Sequence, residues 1–184
     1  MPDIDFRPLA ADDLAALFLW LGQPHVSKWY APAPTSFAEV VAKYGPRTEP
    51  GSAVRAFLIV FNGVDAGYIQ TYAIDLFPDY AAQLGCEPGV AGMDLFLGDT
   101  QLLHRGLGPQ IVRRFVEAIV FGQDQAPACV AGPTEGNAAS IRAFEKAGFR
   151  RWKVIKMKDV EAECVLRLDR TESERPDRAD PLRT

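Results

Sequence analysis

The chain has 184 residues, with 20 Lys and Arg against 24 Asp and Glu, and a formal net charge of −4. Its 48% hydrophobic content suits one substantial core, since two domains of this total length would each be small. The acidic balance excludes the basic footprint of a nucleic-acid binder, and no apolar run reaches the roughly 18 residues of a membrane span.

Cys86, Cys129 and Cys164 are widely spaced and form neither a zinc signature nor a disulfide framework. The two histidines, His25 and His104, sit in no ligand spacing, so no metal is expected. The start "MPDIDFRPLAADD" carries early acids and no apolar signal core. These features predict a soluble cytoplasmic protein that contacts neither nucleic acid nor membrane.

In chain order, "IDFRPL" alternates as a first strand, and "AADDLAALFLWLGQP" places Leu14, Leu17, Phe18 and Leu21 on one helical face. Ser36-x-x-Glu39 is a capping box for a short helix ending at Gly45. "AVRAFLIVF" and "VDAGYIQTYAI" flank Asn62-Gly63, the favoured two-residue hairpin turn. Residues 75–88 read as a loop or short helical piece, and "GVAGMDLFLGD" as a strand. Val112, Phe115, Val116 and Ile119 give the next helix a buried stripe. "ACVAG" is a short buried strand, residues 137–147 a further helix, and "FRRWKVIKM" with "ECVLRL" a closing strand pair. The order β-α-α-β-β-β-α-β-α-β-β predicts a mixed α/β sheet. One domain is expected over residues 1–168. Residues 169–184 are charged, proline-bearing and nearly free of large apolar groups, and read as a flexible tail.

The stretch "HRGLGPQIVRRFVEAIV" puts Arg105-Gly106-Leu107-Gly108 at a helix start. The first amides of a helix lack intrahelical partners and the dipole there is positive, so glycines at this point let a diphosphate approach the backbone. The same glycines also suit a tight strand-to-helix turn that binds nothing. Asp94 stands inside the apolar run "GMDLFLG" and faces either a cleft or, at a sheet edge, solvent.

About thirty residues after that helix start comes "EGNAASIRAFEKAGFRRW". With Arg105–Gly108 it resembles the GNAT superfamily of acyl-CoA-dependent N-acetyltransferases. The resemblance implies a central, mostly antiparallel sheet flanked by about four helices, with acetyl-CoA as acetyl donor. It assigns Arg105, Gly106, Leu107 and Gly108 to the pyrophosphate and Asn137 to the pantetheine arm, though Asn137 is also a plain helix cap. Over residues 6–168 the chain further resembles the aminoglycoside 6'-N-acetyltransferases, in "DDLAALFLWLGQPHVSKWY", "FNGVDAGYIQTY" and "CEPGVAGMDLFLGD".

That likeness implies a small-molecule amine acceptor with Asp94 as catalytic carboxylate. Trp29, Tyr30, Tyr72 and Glu87 would contact the acceptor. Trp29 and Tyr30 equally suit a core, and Glu87 an ordinary surface acid. Three positions depart from the pattern. Phe144 stands where many relatives carry a tyrosine able to protonate the coenzyme A thiolate. Leu103 stands where glutamine or arginine is usual, and Gly132 replaces an acid, with Glu135 nearby in sequence. The alternatives are a siderophore-precursor or other metabolite amine as acceptor, a peptide N-terminus, or a non-catalytic acyl-CoA or drug-binding module. A monomer or a homodimer fits equally well.

Overall fold

The computed structural model describes residues 3–30, 32–156 and 161–173. β1 (Ile4–Pro8) runs antiparallel to β2 (Val54–Phe61), and β2 to β3 (Val64–Ala73). The β2–β3 turn is the expected Asn62-Gly63, whose φ values of 50° and 78° are those a type I′ hairpin turn requires. β3 pairs antiparallel with β4 (Ala91–Leu97), which meets β5 (Ala128–Ala131) in the single parallel pair among the described strands. β7 (Glu163–Asp169) lies antiparallel between β5 and β6 (Arg150–Ile155), giving the order β1-β2-β3-β4-β5-β7-β6. This is the mixed, mostly antiparallel α/β sheet that the sequence predicts.

Both faces of the sheet are covered, which is why "AFLIV" in β2 is apolar throughout instead of alternating. Phe57 and Ile59 face α5 (Leu107–Phe115) and α6 (Ala138–Lys146), where Ile111, Phe115, Ile141 and Phe144 complete the larger core. Leu58 faces the other way, with Tyr68 and Phe96, under α1 (Leu14–Leu21), α2 (Pro24–Ser27) and α3 (Phe37–Tyr44). A third cluster, Ile74, Leu84, Val130 and Val165, lies beside α4 (Pro78–Leu84).

Helix ends follow local chemistry. Ser36 Oγ accepts from Glu39 N–H at 3.3 Å, as the capping box predicts, but the Glu39 carboxylate reaches back to Thr35 N–H (2.8 Å). Gly148 stands past the end of α6 at φ 105°, and Phe149 N–H donates to the Phe144 carbonyl, a C-terminal closure that favours glycine. α5 continues into π-helical turns over Val116–Phe121. On the solvent side, Arg7 ties β1 to the start of α1 and to β3, donating to Asp13 (2.8 Å) and Asp65 (2.6 Å).

Two expectations are modified. The described residues hold more helices than about four, because α2 and α4 each open on a proline that favours a first helical turn, and α7 (Arg170–Ser173) follows β7. The expected tail boundary falls inside structure: Asp169 is still paired with Ala128, and only residues 174–184 of that tail lie outside the described residues.

Candidate active site

β4 and β5 start side by side and then part. They pair only at Ala91–Cys129 and Gly92–Val130, while β3 follows β4 out to Leu97. Among the described residues, β4 from Met93 onward has a strand partner on its β3 side alone. Asp94 stands where this wedge opens. It lines a cavity of about 500 Å³ whose apolar walls include Tyr72, Ile74, Phe77 and Val130. Two further carboxylates, Asp79 and Glu163, belong to the same lining.

Register places the groups around Asp94. Gln70 lies opposite Asp94, and Tyr72 opposite Gly92. A Cβ on Gly92 would stand 2.5 Å from the Tyr72 ring, so the missing side chain lets that ring lie across β4 beside Asp94. Gln70 Nε2 donates to Asp94 Oδ2 at 2.7 Å. Its Oε1 accepts from the Tyr68 hydroxyl (2.6 Å) and from the Arg47 guanidinium, which also donates to the Tyr68 oxygen at 2.9 Å. With both donors on Oε1, the amide can present only its N–H group to Asp94. Burial pushes the Asp94 carboxyl above the usual range, against smaller downward pulls from Gln70, Tyr72 and Arg47. Burial and the Asp94 charge likewise push the Tyr72 phenol up.

Beyond β4 the chain turns through residues 100–102 to the start of α5. Gly106 precedes that helix at φ 72°, and a Cβ there would meet nothing within 4 Å. Its backbone therefore needs glycine while the space in front stays open. Gly108 has a packing reason as well, since its Cβ would lie 3.2 Å from Ala143 on α6. Leu107 is buried and anchors the first turn, Arg105 is exposed, and the half-buried Leu103 closes the preceding turn. Arg113 reaches the Lys146 carbonyl at 3.2 Å, so α5 and α6 run in the same direction and their N-termini lie toward the same side. Asn137 Oδ1 accepts from Ser140 N–H at 3.1 Å and caps α6, as the sequence predicts.

The remaining predicted residues scatter. Tyr72 joins Asp94 in the cavity wall. Tyr30 packs edge-on against Phe96 (5.0 Å) and Tyr68 (6.5 Å) in the core beneath α1 and α3. Trp29 lies against Gly136, with Lys28 over its ring at 4.4 Å. Glu87 is outside the cavity lining: its carboxylate is taken up by Arg167, which also holds Asp169 at 2.7 Å. Glu135, the acid close to Gly132 in sequence, lines a smaller cavity with Arg151 and Trp152. The carboxylate that stands beside Gly132 is Glu163 from β7, which the sequence reading missed together with its partner Tyr80. A period-2 reading of "ECVLRL" puts Glu163 on the same face as buried Val165, but only the β5–β7 pairing brings it to position 132. Phe144 is buried edge-on to Phe149. Among the described residues, no helix is long and apolar enough to cross a membrane, and no His, Cys, Asp and Glu group is placed to hold a metal ion.

The open first turn at Gly106, the edge of β4 left unpaired among the described residues and the cavity-lining carboxylate of Asp94 fit an acyl-CoA donor meeting an amine. Comparison with known proteins agrees. Residues 10–157 match the acetyltransferase (GNAT) domain model. An aminoglycoside N(6')-acetyltransferase type 1 from Klebsiella pneumoniae is 30% identical over 85% of this chain and 78% of its own length. The structure of the aminoglycoside acetyltransferase AAC(6')-Ib with coenzyme A and kanamycin superposes with a TM-score of 0.77 at 28% identity, covering 92% of this chain and 96% of that one. A lysine N-acyltransferase, MbtK, from Mycolicibacterium paratuberculosis is 26% identical over 81% of this chain and 66% of its own. The chain belongs to the GNAT acetyltransferase family and is an N-acetyltransferase that uses acetyl-CoA as its acetyl donor.

Proposed function

We propose that Asp94 is the general base for an amine held in the 500 Å³ cavity, and that this amine is the 6'-amine of an aminoglycoside. The observation that carries the reading is the place of Asp94, in the cavity wall where β4 leaves β5, with a carboxyl raised by burial. An ammonium cannot attack a thioester, so a proton must first leave it, directly or through water. A carboxylate with raised proton affinity, oriented by the Gln70 amide, suits that transfer. The Gln70 amide fixes one carboxylate oxygen, with the Tyr72 hydroxyl beside it, and Asp94 lines the cavity.

The donor's residues follow from backbone geometry. The first-turn N–H groups of α5, opened by Gly106 and Gly108 and flanked by Arg105 and Leu107, receive the diphosphate. The unpaired edge of β4 supplies N–H groups where charge develops on the acetyl oxygen, and Asn137 flanks the pantetheine arm. Phe144 carries no exchangeable proton, so the proton for the coenzyme A thiolate comes from another donor or from water. Tyr72 forms part of the acceptor wall. Residues 4–169 act as one catalytic domain, and three free thiols suit a reducing cytoplasm.

The names of the K. pneumoniae relative and of the kanamycin complex support an aminoglycoside acceptor, and the acidic cavity wall suits a cation. The test is acetylation, read by mass, of aminoglycosides with a 6'-amine and of matched compounds with a 6'-hydroxyl. Product from the first group alone supports the assignment. Acetyl-CoA binding with no product from any of them removes the aminoglycoside, and a lysine side-chain acceptor becomes the next to try.

A further inference from the structure

Gly132 follows β5 in the cavity wall, and the space its side chain would fill is already taken. A Cβ at this position would stand 2.5 Å from Glu163 Oε2 and 2.9 Å from the Tyr80 hydroxyl. The occupant comes from the neighbouring strand. Thr134 bridges to Glu163, Cys164 N–H donates to the Pro133 carbonyl (2.8 Å), and Glu135 N–H donates to the Ala162 carbonyl (2.8 Å). These bonds fasten the segment after β5 to the start of β7, so the Glu163 side chain emerges beneath Gly132. Tyr80 on α4 then donates its hydroxyl to Glu163 Oε2 at 3.0 Å.

Glu163 differs from the other acids that hold fixed positions. Asp13 and Glu87 each face an arginine, whereas Glu163 is half-buried with a single neutral hydrogen bond and no cationic partner among the described residues. Burial and the nearby Asp94 charge both push its carboxyl up. A carboxylate so placed is poorly compensated by the protein and gains most when a cation arrives with the ligand.

We propose that Glu163, admitted by the absent side chain of Gly132, is a specificity-determining anion of the acceptor cavity and selects acceptors that carry a second ammonium group besides the one acetylated at Asp94. The proposal rests on the reading of this cavity as the acceptor site. Asp94 and Glu163 line one wall system, so one substrate can meet both: its reacting amine at Asp94, its spectator ammonium at Glu163.

The test compares a multiply aminated 6'-amino sugar with a matched sugar carrying only the 6'-amine, using wild type, Glu163→Gln, Tyr80→Phe and Asp94→Asn. With Glu163→Gln, KM for the multiply charged acceptor rises about tenfold or more, with kcat changed by less than about threefold, because uniform binding is what is removed. For the single-amine acceptor KM rises by less than about threefold. Tyr80→Phe moves the same ratio in the same direction by a smaller factor. It leaves the strands untouched and carries the test if Glu163→Gln does not fold, as judged by acetyl-CoA binding. Equal losses on both acceptors, no change on either, or a wild type without preference for the second charge overturns the proposal. Asp94→Asn separates the two levels: if it abolishes turnover while Glu163→Gln shows no selectivity, only this proposal fails. If Asp94→Asn retains full activity, the reading of the cavity fails as well.

Discussion

Gln70 and Asp94 face each other across β3 and β4, and the 2.7 Å bond from the Gln70 amide is oriented from behind by Arg47 and Tyr68. This contact holds the carboxylate in place and partly offsets the burial that raises its proton affinity.

Replacing Gln70 with Leu removes that offset. The acid limb of the kcat/KM profile, where Asp94 must lose its proton to act as base, then moves to higher pH. Asp94→Asn lowers kcat/KM by about 10²- to 10⁴-fold and abolishes the limb, while acetyl-CoA binding is retained. A pH–rate series on the three proteins decides, and an unmoved limb in Gln70→Leu rules out Asp94 as the titrating base.

Asp94 also carries a stability prediction of definite sign. Its folded-state pKa is raised, so the native state binds the proton more tightly than the unfolded chain. Its contribution to stability therefore falls as pH rises from the ordinary carboxylate range through the raised value. Asp94→Asn keeps an acceptor for the Gln70 amide and is expected to melt above wild type at neutral pH. Calorimetry at pH 5 and pH 7.5 reads the difference, which grows with pH.

Asp13 behaves in the opposite sense, since the Arg7 guanidinium holds its carboxyl below the ordinary value. That stabilisation is present above the unfolded carboxylate range and is lost as pH falls through the depressed folded value. Arg7 is 40% exposed, so Arg7→Met is expected to cost only about 1 kcal/mol at neutral pH, less in high salt. Urea titrations of wild type and variant should converge at low pH.

Gly67 and Gly106 separate packing from conformation. A Cβ on Gly67 would lie 2.3 Å from the Phe96 carbonyl oxygen, in backbone that cannot swing away. Gly67→Ala is expected to destabilise by about 2–3 kcal/mol, read by denaturant midpoint. At Gly106 nothing obstructs a Cβ, and the penalty is the φ of 72°, about 1–2 kcal/mol. Gly106→Ala is also expected to raise KM for acetyl-CoA severalfold, with KM for the amine nearly unchanged. A change confined to the amine would place the diphosphate elsewhere.

The residues themselves determined the hairpin at Asn62-Gly63, the caps at Ser36 and Asn137, the glycine turn at Gly106 and the family, because each rests on neighbours close in sequence or on a motif of fixed spacing. Asp94 was legible for a related reason: a carboxylate within an apolar strand demands a polar surrounding or a cavity. Tyr72, expected from the resemblance, also lines the cavity, but Glu163 and the true places of the other expected residues were not legible. Tyr30 in a core, Glu87 bound to Arg167, and Glu163 beneath Gly132 depend on which strands and helices become neighbours. Tertiary structure alone decided them, because strand register and the point where β4 parts from β5 arise from burying both sheet faces at once. No local pattern carries that sum.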